Sequence, residues 1–204
     1  MEAAAEADPG TSVIGLVLAA GAGRRMGGPK ALIRDGRGVP WVRTRAETLL
    51  DGGCDRVLVA VGAQAAMVRA ALPERVGVVV VRGWEGGMGV SLSAGLDACA
   101  SVRPRPRAVL VALVDTPGLT SEAVARVVRA AVTARLDDAL VQAAYDAAPG
   151  HPVLLGRAHW DGVRQAAQGD TGARGYLRGR DVLLVECGDV ADGSDVDTPE
   201  QLRG

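Results

Sequence analysis

Apolar residues along this chain alternate between two spacings. Apolar runs of strand length recur at 13–20, 55–61, 76–81, 108–114, 138–144 and 182–187, and such runs suit strands buried in a sheet. Between them, apolar residues recur every three or four positions, which predicts helices over 40–51, 64–72, 90–101, 120–135, 156–167 and 172–179. The clearest is 120–135: Thr120 or Ser121 can cap it, and Val124, Val127, Val128, Ala131 and Val132 make one stripe. Strand–helix alternation predicts an α/β architecture of three layers, with a mostly parallel central sheet and helices on both faces. In such folds ligands bind beyond the carboxyl ends of the strands. Segments 103–106 and 147–152 read as loops, 1–12 as a flexible leader, and 13–204 as one domain.

Composition narrows the picture. A chain of 204 residues can bury about 70% of its unfolded surface without a metal or disulfide staple. With 48% hydrophobic residues and no Phe, the core is built from small and β-branched side chains. The formal charge of −1, from 23 basic and 24 acidic residues, gives no field for wrapping nucleic acid or lying on an anionic membrane. Cys54, Cys99 and Cys187 are scattered, lack CxxC spacing and have only His151 and His159 as helpers, which argues against zinc or iron–sulfur centres. The acidic start has no basic n-region and the first apolar run is too short to span a bilayer. A cytoplasmic protein with a small soluble substrate is expected.

Chemistry concentrates after the first strand, in LAAGAGRRMGGPK at 18–30. Gly21, Gly23, Gly27 and Gly28 remove Cβ atoms so that backbone N–H groups can face an anion, as in a phosphate cradle. The loop is not a dinucleotide fingerprint, because Met26 stands where the third glycine belongs and the second strand ends in VAVGAQ without an acid. Nor is it a Walker loop, because Lys30 lies between Pro29 and Ala31. Lys30 is the sole lysine among 23 basic residues, so a compact ammonium is favoured at this place over an arginine fork. It suits charge developing at an α-phosphorus, while Arg25 can hold β- and γ-phosphates bidentately. The alternative is a solvated turn with Lys30 on the surface.

Other candidates sit at strand ends. Asp115 follows the strand 108–114 and either holds Mg²⁺ or caps the next turn. In GMGVSLSAGL at 87–96, Gly87 and Gly89 permit a close turn, and Ser91 either caps a helix or reads a base edge. Gly62 closes the second strand and is expected in a wall of the nucleotide pocket. His151, before Pro152, either orients an anionic acceptor or is structural. Arg174 lies near a helix N-terminus, a region suited to anions. Neither triad spacing nor a paired-His motif occurs.

These residues resemble the nucleotidyltransferases whose signature is a strand followed by LxxGxGxRM and then PK: Leu18, Gly21, Gly23, Arg25, Met26, Pro29 and Lys30 match. GMGVSLSAGL at 87–96, LVDTP at 113–117, GHPVLL at 150–155, GDTGAR at 169–174 and DVDTPEQL at 195–202 follow in order. The last three, with Ala19 and Ala20, are most similar to molybdenum cofactor cytidylyltransferases, which move CMP from CTP to molybdopterin; guanylyltransferases carry Gly-Gly there and use GTP. The resemblance implies a Rossmann-like, glycosyltransferase-A-like fold, Mg²⁺ as cofactor, and CTP favoured over GTP. It implies nucleotide contacts from Leu18, Ala19, Ala20, Gly21, Gly23, Gly87 and Ser91. Asp197 is implied as the second metal ligand beside Asp115, with Asp192 and Asp195 as alternatives in the same segment and Thr198 as a rival cap for a final helix. Relatives acting on sugar, alcohol or other metabolite phosphates share the first loop, and some proteins resembling this chain carry an oxidoreductase name. An NAD(P)H-dependent reductase of a heterocycle is therefore the second alternative.

Overall fold

The computed structural model of the chain describes residues 12–202, so all of the expected leader except Ser12 lies outside it. The elements are β1 (Val13–Ala19), α1 (Trp41–Asp51), β2 (Arg56–Val61), α2 (Ala65–Ala70), β3 (Gly77–Val80), α3 (Met88–Ser101) and β4 (Ala108–Leu113). They continue with α4 (Ser121–Thr133), β5 (Leu140–Tyr145), β6 (Ala148–Gly156), α5 (Trp160–Ala166), α6 (Arg174–Leu177) and β7 (Leu183–Glu186). The seven strands form one sheet in the order β3-β2-β1-β4-β6-β5-β7, parallel except for β6, which runs against both β4 and β5.

Every residue of β1 is buried, because the strand is central and covered on both faces. Val13, Val17 and Ala19 join the core under α1, α2 and α4. Ile14, Leu16 and Leu18 point the other way, into the core under α3, α5 and α6. That alternation by single residues makes the three layers. α4 begins as expected, with the Thr120 hydroxyl accepting from the Ala123 amide at 3.3 Å. Val132, expected in its buried stripe, is 47% exposed; Ala123 takes the place instead.

Of the segment 147–152, expected as a loop, residues 148–152 belong to β6, and the helix expected from 156 begins as a 3-10 turn with α5 starting at Trp160. Asp146 and Ala147 make the hairpin turn with φ of 51° and 65°, and the Glu186 carboxylate accepts from both of their amides, at 3.2 and 3.1 Å. Pro149 and Pro152 lie before Val153, where pairing with β4 starts, so neither ring interrupts that ladder. The turn-forming residues concealed a strand whose remainder, Val153, Leu154 and Leu155, is buried.

Leu154→Ala is expected to cost about 2–5 kcal/mol through loss of buried methyls and a residual cavity, lowering Tm by about 4–20 °C. Val132→Ala should stay within about 0.5 kcal/mol. Thermal unfolding followed by circular dichroism checks both; an unchanged Tm for Leu154→Ala would contradict a core position for β6.

Candidate active site

β1 and β4 are neighbours whose carboxyl ends open side by side, so the loop after β1 and the loop after β4 face each other. The amides of Met26 and Gly28 both donate to the Gly23 carbonyl, at 2.9 and 3.2 Å, curling the glycine-rich loop back on itself. Above it lies a cavity of about 500 Å³. Of the expected residues, Leu18, Ala19, Ala20, Gly21, Gly23, Arg25, Lys30, Gly87, Ser91, Asp115 and Asp197 line this cavity. Ser91 lies a turn inside α3, whose cap is Gly87, so the capping alternative for its hydroxyl is removed.

At the floor of the cavity the Lys30 ammonium donates to Asp115 Oδ2 at 2.7 Å and to Asp197 Oδ1 at 2.5 Å. Arg25 Nη2 lies 3.2 Å from Asp197 Oδ2. The Lys30 side chain is only 15% exposed, so it is not a surface residue. Burial pulls the Lys30 pKa down, but hydrogen bonds and charge from the two carboxylates outweigh it and hold the group above its ordinary value. The hydrogen bond from Lys30, then its charge and that of Arg25, hold the Asp197 carboxyl below the usual range against a smaller effect of burial. The Asp197 contribution to stability is thus present above the ordinary carboxylate pKa of about 4 and fades as pH falls below it; that of Lys30 fades only as pH rises beyond about 10.4.

Asp197 is the acid of its segment that reaches the cavity; Asp192 and Asp195 do not line it. Asp192 Oδ1 accepts instead from the Ser194 amide at 2.8 Å. No final helix is described after Thr198: residues 198–202 form a turn, in which Gln201 Oε1 accepts from the amides of Asp197 and Thr198 at 2.7 and 2.9 Å. Among the described residues no three His, Cys, Asp or Glu converge as a metal cage. Two carboxylates suffice for Mg²⁺, which keeps waters and takes substrate phosphates as further ligands. Asp115 Oδ1 is buried without a hydrogen-bond partner, so this pair fits a divalent cation.

Three expected residues fall outside the cavity lining. Gly62 closes β2, but a Cβ there would lie 2.4 Å from Trp84 Cγ; the wall is Trp84, and Gly62 makes room for it. His151 lies on β6, its carbonyl accepting from the Tyr145 hydroxyl at 2.7 Å. Burial pushes its imidazole down to about 4, with the charges of Asp115 and Asp195 acting upward and that of Arg174 downward. The ring is therefore neutral at pH 7 and feels Arg174 and Asp115 together. Arg174 opens the four-residue α6. Trp84, Glu85, Met88 and Asp170 line the cavity without having been singled out from sequence. The signal for Trp84 was a lone aromatic inside GWEGGMG.

A mostly parallel sheet with a glycine-rich loop and an Asp–Lys–Asp cluster at its strand ends defines a nucleotide-handling α/β enzyme. Residues 15–184 match the MobA-like NTP transferase domain, and the chain belongs to that family of nucleotidyltransferases. It is 41% identical over 202 residues to nicotine blue oxidoreductase of Paenarthrobacter nicotinovorans, covering 93% of this chain and 94% of that one. The crystal structure of a homologue of Mycobacterium tuberculosis Rv0371c from Mycobacterium sp. strain JC1 is similar with a TM-score of 0.77 at 26% identity, covering 95% and 94% of the two chains. That of Rv0371c of Mycobacterium tuberculosis in complex with manganese gives 0.72 at 25% identity, covering 94% and 96%.

Because the folded His151 pKa of about 4 lies below its ordinary 6.5, the unfolded chain takes up the proton first. Stability therefore falls as pH drops from 6.5 to 4, by at most about 3 kcal/mol from this group. His151→Gln should shrink the difference between denaturant midpoints at pH 7 and pH 4.5; an identical difference in both proteins would show that the imidazole is not buried.

Proposed function

We propose that this protein transfers a nucleoside monophosphate from a nucleoside triphosphate to an anionic small-molecule acceptor, with CTP favoured over GTP, molybdopterin as acceptor and Mg²⁺ as cation. The observation that carries the reading is the Lys30 ammonium held between Asp115 and Asp197 at the floor of the glycine-loop cavity. The acceptor's phosphate oxygen attacks the α-phosphorus in line and pyrophosphate leaves. Asp115 and Asp197 would hold Mg²⁺, which supplies positive charge to the triphosphate. Lys30 neutralises charge on the non-bridging α-oxygens, and Arg25, whose side chain is 72% exposed, reaches the outgoing phosphates.

The base lies against Trp84, Gly87 and Ser91, and the Ala19 and Ala20 methyl groups leave less room for a purine than glycines would. His151 and Arg174, outside the nucleotide cavity yet electrostatically coupled to one another and to Asp115, suit the acceptor side. The manganese in the Rv0371c complex supports a divalent cation. A cytoplasmic setting agrees with three free, buried cysteines.

A second reading is favoured by one observation, the 41% identical relative named an oxidoreductase. On it, the cavity takes a nicotinamide cofactor and a heterocycle. Met26 in place of a third glycine and the absence of an acid after β2 speak against it.

Purified protein with Mg²⁺, molybdopterin and each of CTP, GTP, ATP and UTP is expected to release pyrophosphate fastest with CTP. Lys30→Ala should lower turnover by two or more orders of magnitude while the chain still folds. Near-normal turnover in that variant would sink the mechanism. Release only with a sugar or alcohol phosphate would move the acceptor within the class, and stoichiometric NAD(P)H oxidation without pyrophosphate would favour the second reading.

A further inference from the structure

α1 carries a charge on its buried face. Arg45 is 2% exposed, among Trp41, Val42, Ala46 and Leu49, and among the described residues it forms no ion pair. Burial pulls its guanidinium down to about 10, which leaves it cationic at neutral pH. A cation that forms no ion pair in a core, with the charge of Asp115 acting on it only from beyond contact distance, is costly beside an apolar residue of similar volume. What the position gains is the fork: Nη1 donates to the Leu119 carbonyl at 3.0 Å and Nη2 donates to the Thr116 carbonyl.

The segment 115–119, which that fork grips, supports both acids of the site. It begins with Asp115, and the Thr116 hydroxyl ties it back to the Leu113 carbonyl at 3.1 Å. The Asp115 carbonyl accepts from the Val196 amide at 2.9 Å, and the Gly118 carbonyl accepts from the Asp192 amide at 3.2 Å. The segment leading to Asp197 is thereby docked on the loop that carries Asp115. The joint is tight, since a Cβ on Gly118 would lie 2.6 Å from that of Asp192.

We propose that Arg45 is a positioning residue: by clamping the Thr116 and Leu119 carbonyls it sets the separation of Asp115 and Asp197, and so the geometry in which they receive a divalent cation and Lys30. This rests on the reading of those two acids as the cation-holding pair. Removal of the fork shifts Asp115 and Asp197 relative to one another while the Trp84, Gly87 and Ser91 side of the cavity stays in place, and sub-ångström misplacement of such groups weakens coordination and transfer more than nucleotide capture.

The test compares wild type, Arg45→Met, Arg45→Lys and Gly118→Ala at a temperature where circular dichroism shows each folded. Mn²⁺ affinity is read by electron paramagnetic resonance, and kcat and KM for the nucleotide by pyrophosphate release. Arg45→Met is expected to bind Mn²⁺ at least tenfold more weakly and to lose at least tenfold in kcat, while KM moves less than threefold. Arg45→Lys, which keeps a donor, should recover part of both. A folded Arg45→Met with wild-type Mn²⁺ affinity and kcat would overturn the proposal and leave a structural clamp. If Arg45→Met does not fold, Gly118→Ala carries the test by loosening the same joint: the same split supports the proposal and wild-type values overturn it. Wild-type Mn²⁺ binding and turnover with insensitive variants defeats the proposal alone, whereas a wild type that neither binds Mn²⁺ nor releases pyrophosphate defeats the functional reading with it.

Discussion

One ammonium group holds together parts of the chain that are far apart in sequence. Lys30 meets Asp115 across 85 positions and Asp197 across 167, so the loop after β1, the loop after β4 and the segment after β7 converge on a single charge. Without it, two carboxylates would face each other in a partly buried cleft, and like charges so placed repel. The same juxtaposition that needs a cation for stability makes the place suited to one for catalysis. On the proposed function, the pair would pass from an internal ammonium to a divalent cation brought with a triphosphate, and Lys30 would then be free for phosphate oxygens.

The scaffold around this cluster follows from simple patterning. β1 is apolar throughout because it is central in a sheet covered on both faces, and its end throws the glycine-rich loop over the top. The strand reversal at β6 does not disturb this, because β6 joins the sheet beside β4 rather than between β4 and β1. Residues 15–184, which match the MobA-like NTP transferase domain, take in the glycine-rich loop, Lys30 and Asp115.

Much of this was legible in the sequence, for identifiable reasons. Six of the seven strands announced themselves as apolar runs, and Lys30, Arg25 and Asp115 stood out by their spacing after strands. β6 was hidden because Pro149, Gly150 and Pro152 carry turn chemistry, and only the sheet shows that those residues precede the β4 pairing. Gly62 pointed to the right wall for the wrong reason, since periodicity does not reveal that its missing Cβ serves Trp84. The sequence signal for Arg45 is a charge in the apolar stripe of Trp41, Val42, Ala46 and Leu49. Asp197 was favoured over Asp192 and Asp195 by the resemblance alone, because three acids within six positions look alike by residue type, and the contact with Lys30 sets it apart in space.

The most direct measurement is a crystal structure of the protein with Mn²⁺ and a non-hydrolysable CTP analogue, read by the manganese anomalous signal. The account expects manganese on Asp115 and Asp197, the triphosphate along the 20–26 loop, and the Lys30 ammonium moved from the carboxylates to the α-phosphate. A triphosphate bound elsewhere, or Lys30 still bridging the two acids with the nucleotide in place, would contradict it.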